Sequence, residues 1–272
     1  MTSGIAQIER VAASVKTHLF LLCPNNSGST YLSRAIAQSR HVWSLEKEGQ
    51  HVFGFAGPHT LDSKWPLIWA SSDEALAVFA DSSAFDWERS RKAWYFRATA
   101  KTDDASVFHT KAPPFLLHAR DLSETFENAR FVLMVRDPYA ALEGILRRKQ
   151  RHKTISRNLD LAEAGARHLL KCLEVQRANI DLLGEAAIAF TYEELCAGPE
   201  EMARRIEALV PALDDLDLSQ RLSIKGTYDE PLRNMNEEQI ARLSPEEISA
   251  ATRVFEKGRE HLEFFGYALR TA

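Results

Sequence analysis

Phe20-Leu-Leu-Cys-Pro-Asn-Asn-Ser-Gly-Ser-Thr-Tyr-Leu32 decides the fold of this chain. An apolar run stops at a Pro/Asn/Ser/Gly turn, and a helix opens at Ser29-Thr30. Strand, tight turn and helix in that order aim backbone N–H groups and two hydroxyls at one spot, at the positive end of the helix dipole. An anion belongs there, and a phosphate fits best. A nucleotide loop ending in Gly-Lys-Ser/Thr would put its lysine on the outer phosphates and its hydroxyl on Mg²⁺. Here Gly28 is followed by Ser29, and the loop has no lysine.

Outward from this loop, four short apolar runs read as buried strands: 18–23, 106–110, 131–135 and 186–190. Helical patterns lie between or after them. Such alternation predicts a parallel sheet with helices on both faces, and ligands at the carboxyl ends of its strands. The stretch 158–184 carries Leu159, Ala162, Ala166, Leu169, Leu170 and Leu173 at helical spacing and ends in a glycine suited to a C-cap. A second helix is expected over 199–210. Ser244-Pro245-Glu246-Glu247 is a capping box, expected to open a helix running to about Phe264. No repeat or linker divides the chain, so a single domain over 1–272 is expected. All five tryptophans fall between Trp43 and Trp94. This aromatic-rich stretch, about 43–100, reads as an insertion or lid over the sheet: either a hydrophobic cluster or an acceptor pocket.

A second anion site is written in Ala129-Arg-Phe-Val-Leu-Met-Val-Arg-Asp-Pro138. A buried strand ends in Arg136, while Asp137 and Pro138 suit the start of the next helix. An arginine at a strand end beside the loop can clamp a phosphate bidentately. His109-Thr-Lys-Ala-Pro-Pro114 and Phe190-Thr-Tyr-Glu-Glu-Leu195 end two further strands. Glu46-Lys-Glu48-Gly-Gln-His51 follows the first helix. A carboxylate among aromatic rings would have its pKa raised toward that of a useful base, which favours Glu48, with Glu46 and His51 behind it. The cation run Arg147-Arg-Lys-Gln-Arg-His-Lys153 is by default a solvated helix end, and otherwise a seat for an anionic acceptor.

In this order the segments resemble sulfotransferases. Their 5′-phosphosulfate loop reads roughly Pro-Lys/Arg-Ser-Gly-Thr-Thr-Trp-Leu. Pro24, Ser27, Gly28, Ser29, Thr30 and Leu32 match it, with Tyr31 in the aromatic place. One extra residue follows Pro24, and Asn26 replaces the basic residue. Arg136 matches the arginine that holds the 3′-phosphate of 3′-phosphoadenosine 5′-phosphosulfate (PAPS). Gly144 stands where a family serine usually follows. Lys111 matches the lysine near the sulfuryl group, and Pro113 stands in place of the histidine base of many animal members. Tyr192 matches a tyrosine near the adenine. Lys225 and Gly226 could replace a basic phosphate-wrapping loop.

The resemblance implies a three-layer, P-loop-like α/β fold and in-line transfer from PAPS to a hydroxyl or amine of a small-molecule acceptor. It implies PAP, adenosine 3′,5′-bisphosphate, as product and no metal. Lys111 and Glu48 would be catalytic. Asn26, Ser27, Gly28, Ser29, Thr30 and Tyr31 would bind the donor, together with Arg136, Tyr192, Lys225 and Gly226. An ATP-dependent kinase-like phosphotransferase and a non-catalytic nucleotide-binding relative remain as alternatives.

The totals agree with an ordinary globular domain. Of 272 residues, 45% are hydrophobic and 26% charged. A net charge of −4 argues against a general nucleic-acid binder. No apolar run approaches a membrane span, and residues 1–15 lack a signal-peptide core. Three scattered cysteines, Cys23, Cys172 and Cys196, point to a reducing, cytoplasmic setting.

Overall fold

Helix α1 (Thr2–Ser14) leads into β1 (Thr17–Leu22), the middle strand of a parallel sheet. From there α2 (Ser29–Ile36) leads to β2 (Val42–Ser44), and α3 (Asp73–Phe79) and α4 (Trp87–Arg97) lead to β3 (Val107–Lys111). Helix α5 (Ala119–Thr125) precedes β4 (Ala129–Val135). Helices α6 (Pro138–Arg151) and α7 (Leu159–Leu183) precede β5 (Ala187–Thr191). Then come α8 (Tyr192–Ala197), α9 (Pro199–Leu209), and an antiparallel pair, β6 (Leu222–Ile224) with β7 (Tyr228–Glu230). The chain closes with α10 (Asn236–Ile240), α11 (Pro245–Phe255) and α12 (Arg259–Phe264). The structure is a computed structural model and describes residues 2–58, 64–151, 157–224, 228–230 and 232–271.

The sheet order is β2-β3-β1-β4-β5, and every neighbouring pair is parallel. From β1 the chain goes to the edge strand β2, returns to β3 beside β1, and then crosses to β4 and β5 on the other side. Such a reversal opens a crevice at the carboxyl end of β1, where the loop 24–30 lies.

Both faces are covered, which is why β1 reads as a continuous apolar run rather than an alternating one. Phe20 and Leu22 point into one core with Trp43, Phe108 and Phe131. Leu19, Leu21 and Cys23 point into the other, with Leu32, Val132 and Ile206. A third cluster joins α6 and α7 to the helices after residue 236.

Most of the aromatic stretch belongs to the first core. Trp69 and Trp94 are inaccessible, and Phe55 stacks on Trp94 at 6.1 Å between centroids. These rings form a layer of the protein rather than the wall of a pocket.

Differences from the sequence reading are local. Strand β2 is only three residues long, too short for an alternation to show. Strand β3 runs one residue further than expected, so Lys111 is its last residue. Helix α7 has the expected glycine, Gly184, at its end, and at its start the Asn158 side chain accepts from the Leu161 amide. The Ser244 box is also formed. Its helix, however, stops at Phe255 and a 3₁₀ turn separates it from α12. At Gly258 an added Cβ would lie 2.8 Å from Leu170, so the chain bends there while closely packed on α7.

Lys149 on α6 is 2% exposed, and its Nζ has no hydrogen-bond partner among the described residues. Burial pushes its pKa down to about 8. The unfolded chain therefore binds more protons than the folded one between about 8 and the ordinary lysine value. Folding stability should rise with pH across that window, because the penalty is fully present below it. We expect Lys149→Met to stabilise the fold by about 1–3 kcal/mol at pH 7, with the gain shrinking by pH 10. Urea midpoints of the two proteins at both pH values decide this; equal midpoints at pH 7 refute it.

Candidate active site

The loop after β1 is shaped by two residues in the left-handed region, Asn26 (φ 61°) and Gly28 (φ 85°). Gly28 also admits the Tyr192 ring: an added Cβ would lie 2.6 Å from it. No side chain caps α2, which begins at the next residue. Its first amides, and the hydroxyls of Ser29 and Thr30, stand beside a cleft of about 330 Å³. Ser27 lies behind them. Its hydroxyl donates to the Pro24 carbonyl at 2.8 Å and closes the turn. Tyr31 points away from the cleft: its buried hydroxyl contacts the carbonyls of Leu218 and Gln220. It secures 218–220 against α2, and the expected donor contact is not available to its side chain.

Asn26 and Gly144, two departures from the family pattern, meet in space. A Cβ on Gly144 would lie 2.9 Å from Asn26 Cβ and Cγ. The bare position on α6 is what seats the Asn26 side chain, and a serine there would collide with it. Asn26 Nδ2 is buried without a hydrogen-bond partner among the described residues.

Arg136 follows the last residue of β4 and is 7% exposed. Its Nε donates to Asn236 Oδ1 at 2.8 Å and its Nη1 to the Asn26 carbonyl at 3.2 Å. The guanidinium lies 4.1 Å from the centroid of the Tyr192 ring. Nη2 has no partner among the described residues. Asp137 does not neutralise it, because Asp137 accepts the Tyr139 amide and pairs with Arg270 at 3.0 Å. Tyr192 is itself fixed by a hydrogen bond from its hydroxyl to the Arg233 carbonyl at 2.6 Å. Asn236 was not legible as a site residue; its role depends on a contact 100 positions away. Lys225 and Gly226 lie outside the described residues.

Across the cleft, Lys111 and Glu48 form an ion pair, Nζ to Oε1 at 2.6 Å. Glu48 starts a 3₁₀ turn, Gly49–His51. Gly49 lets this turn close on β3, since a Cβ there would meet Thr110 Oγ1 at 2.8 Å and the Phe115 ring. The Trp94 indole donates to the Gly49 carbonyl at 2.8 Å. The aromatic core thus acts as a platform for the Glu48 turn. Gln50 Nε2 also donates to Glu48 Oε2 at 3.1 Å.

Burial pushes the Glu48 carboxyl up, but the Lys111 charge and hydrogen bond, with smaller help from His51 and Arg148, outweigh it. Glu48 ends below the ordinary value. This reverses the expectation of a raised pKa, because Lys111 reaches the carboxyl and most rings of the aromatic stretch lie elsewhere. Phe55, Trp65 and Trp69 pack in the cores, and Phe53 is 84% exposed.

His109 is a wall residue. Its Nδ1 donates to the Leu19 carbonyl and its Nε2 accepts from the Ser33 hydroxyl. Burial holds its pKa down at about 4, so it stays neutral. Arg34, Lys47, Lys111 and Arg148 line the cleft against two carboxylates, Glu46 and Glu48. A hollow of about 290 Å³ shares Leu45, Glu46, Lys47 and His51 with it and continues to Val52, Phe53 and Arg97. Among the described residues, one group has metal-ligand spacing, His41 with Asp214 and Asp215; it lies outside this cleft, and its carboxylates already bind Arg40 and Ser39.

A model of the sulfotransferase family matches residues 19–210, which include most of β1, the loop, Glu48, Lys111, Arg136 and Tyr192. The chain belongs to the sulfotransferase family. No curated protein matches it by sequence. Among solved structures it resembles a sulfotransferase from Mycobacterium avium with TM-score 0.59 and 17% identity, over 100% of this chain and 82% of that one. It also resembles a sulfotransferase from Alicyclobacillus acidocaldarius, with TM-score 0.56 and 16% identity, over 92% and 96%. The sulfotransferase domain of a Synechococcus olefin synthase gives 0.54 and 17%, over 94% and 97%. At these identities the likeness shows the fold. As in the family, the chemistry expected of this chain is transfer of a sulfuryl group. No described helix is long and apolar enough to cross a membrane.

Proposed function

We propose that this sulfotransferase uses PAPS and transfers its sulfuryl group to a hydroxyl or amine of a small-molecule acceptor. The observation that carries the reading is a pair of neighbouring buried donors with no acceptor among the described residues, Arg136 Nη2 and Asn26 Nδ2, beside a helix without a side-chain cap. Buried polar groups are rarely left unsatisfied, and an anion would satisfy both. The residues therefore fit a nucleotide bearing two separated phosphates. The loop amides with Ser29 and Thr30 would hold the 5′ side. Arg136, with Tyr192 beneath it, would hold the 3′-phosphate. A kinase reading lacks the loop lysine and has no family match behind it.

The donor, when bound, supplies the sulfuryl group and a PAP leaving group. Lys111 then stands at the carboxyl end of β3 to place charge on the transferring group. Glu48 accepts the acceptor's proton at a carboxylate oxygen. The hollow toward Val52 and Phe53 gives the acceptor a mixed seat, with Leu45, Val52 and Phe53 beside Glu46, Lys47, His51 and Arg97. A reducing cytoplasmic setting is supported by three unpaired cysteines.

Calorimetric titration with PAP, AMP and ATP–Mg²⁺ tests the reading. PAP should bind more tightly than AMP by about 1.5–3 kcal/mol, the range of one charge-assisted clamp. Arg136→Ala should remove that preference and leave a folded protein. Equal affinity of the wild type for PAP and AMP, or tighter binding of ATP–Mg²⁺, overturns it.

A further inference from the structure

We propose that Arg148 is a catalytic residue that clamps the transferring sulfuryl group, supplying the positive charge that the loop lost at Asn26. The inference rests on the sulfuryl-transfer reading above.

Three successive cations, Arg147, Arg148 and Lys149, lie in the last turns of α6, and the helix sends them in three directions. Arg147 turns to Glu143 and pairs with it at 3.0 Å. Lys149 turns into the interior. Arg148 alone of the three lines the cleft, with Ser29, Thr30, Lys111 and Glu48. Among the described residues it has no hydrogen bond and no ion pair within 4.0 Å, although it lies near enough to Glu48 to lower that carboxyl's pKa. Such a half-buried guanidinium has given up part of its hydration without gaining a hydrogen bond among the described residues. Such a group is a preorganised anion receptor.

Its position follows from the same contact that seats Asn26. Gly144 and Arg148 are four residues apart, so they share one face of α6. Gly144 brings that face onto the phosphate loop. One turn further on, Arg148 reaches over the cleft. Lys111 cannot supply the missing charge unaided, because Glu48 already compensates it at 2.6 Å.

In the step itself, an acceptor lone pair forms the new bond to sulfur. The bond from sulfur to the 5′-phosphate oxygen breaks, and its electrons leave on PAP. The acceptor's proton passes to Glu48. Charge stays on the sulfuryl oxygens throughout, and Arg148 presents two parallel N–H groups to them.

The test compares wild type, Arg148→Ala and Arg148→Lys for PAP and PAPS binding by calorimetry, and for turnover with acceptor saturating. PAP carries no sulfuryl group, so its affinity should stay within about twofold in both variants, which also shows that they fold. PAPS affinity should fall about fivefold or more in Arg148→Ala, and kcat by about 10²–10³-fold, as when one preorganised donor is removed. Arg148→Lys should recover part of the rate, having charge without the planar fork. Unchanged kcat and PAPS affinity in Arg148→Ala overturn the proposal. A raised acceptor KM with kcat kept assigns Arg148 to the acceptor instead, and equal losses for PAP and PAPS assign it to the nucleotide. Failure of the wild type to bind either nucleotide removes the underlying reading, and this proposal with it.

Discussion

Glu48→Gln is expected to lower sulfuryl transfer to a hydroxyl acceptor by about 10²–10⁴-fold, the usual cost of a general base, while PAP should still bind. The amide keeps the shape of the side chain and can still receive a hydrogen bond from Lys111, but it cannot take a proton. A carboxyl held below its ordinary value is already ionised at neutral pH. The wild-type kcat/KM should therefore be flat from about pH 6 to 8, with its acid limb lower still. Pre-steady-state transfer rates, measured with saturating donor, decide the matter. A Glu48→Gln enzyme with near-normal transfer would exclude Glu48 as the base.

Lys111→Ala should lower kcat by about 10²-fold or more with little change in PAP affinity, because its contact matters most in the transition state. It should also change the pH profile. Without Lys111, burial is no longer outweighed, and the Glu48 carboxyl rises. The ionised base is then lost as pH falls through a higher value, so the residual rate should increase with pH where the wild type is flat. Rate–pH curves for both proteins provide the measurement. A Lys111→Ala curve parallel to the wild type, with normal kcat, would remove Lys111 from the chemistry and leave Arg148 as the nearest cation. The two substitutions touch one ion pair, so their effects should not add.

The fold and the phosphate loop were legible from the chain alone because both depend on neighbours in sequence. A buried parallel strand must be apolar throughout, a tight turn needs Gly28, and a helix that ends near Gly184 declares its own caps. Strand ends in a parallel sheet share one edge, so the sequence places Lys111, Arg136 and Tyr192 on one side. The roles of individual side chains were decided by tertiary contacts. Tyr31 occupies the loop's aromatic place, yet its hydroxyl is taken by carbonyls 187 and 189 positions away. The charge on Glu48 is set by Lys111, 63 positions on, and by Arg148 from another helix. The aromatic stretch had a composition that suited either a core or a pocket, and packing placed most of it in the core. Asn26 and Gly144 looked like two separate losses until the fold pressed one against the other. Sequence fixes which way the backbone turns and which groups are available at the strand ends. Which of them meet, and with what charge, depends on distances through space that no local pattern encodes.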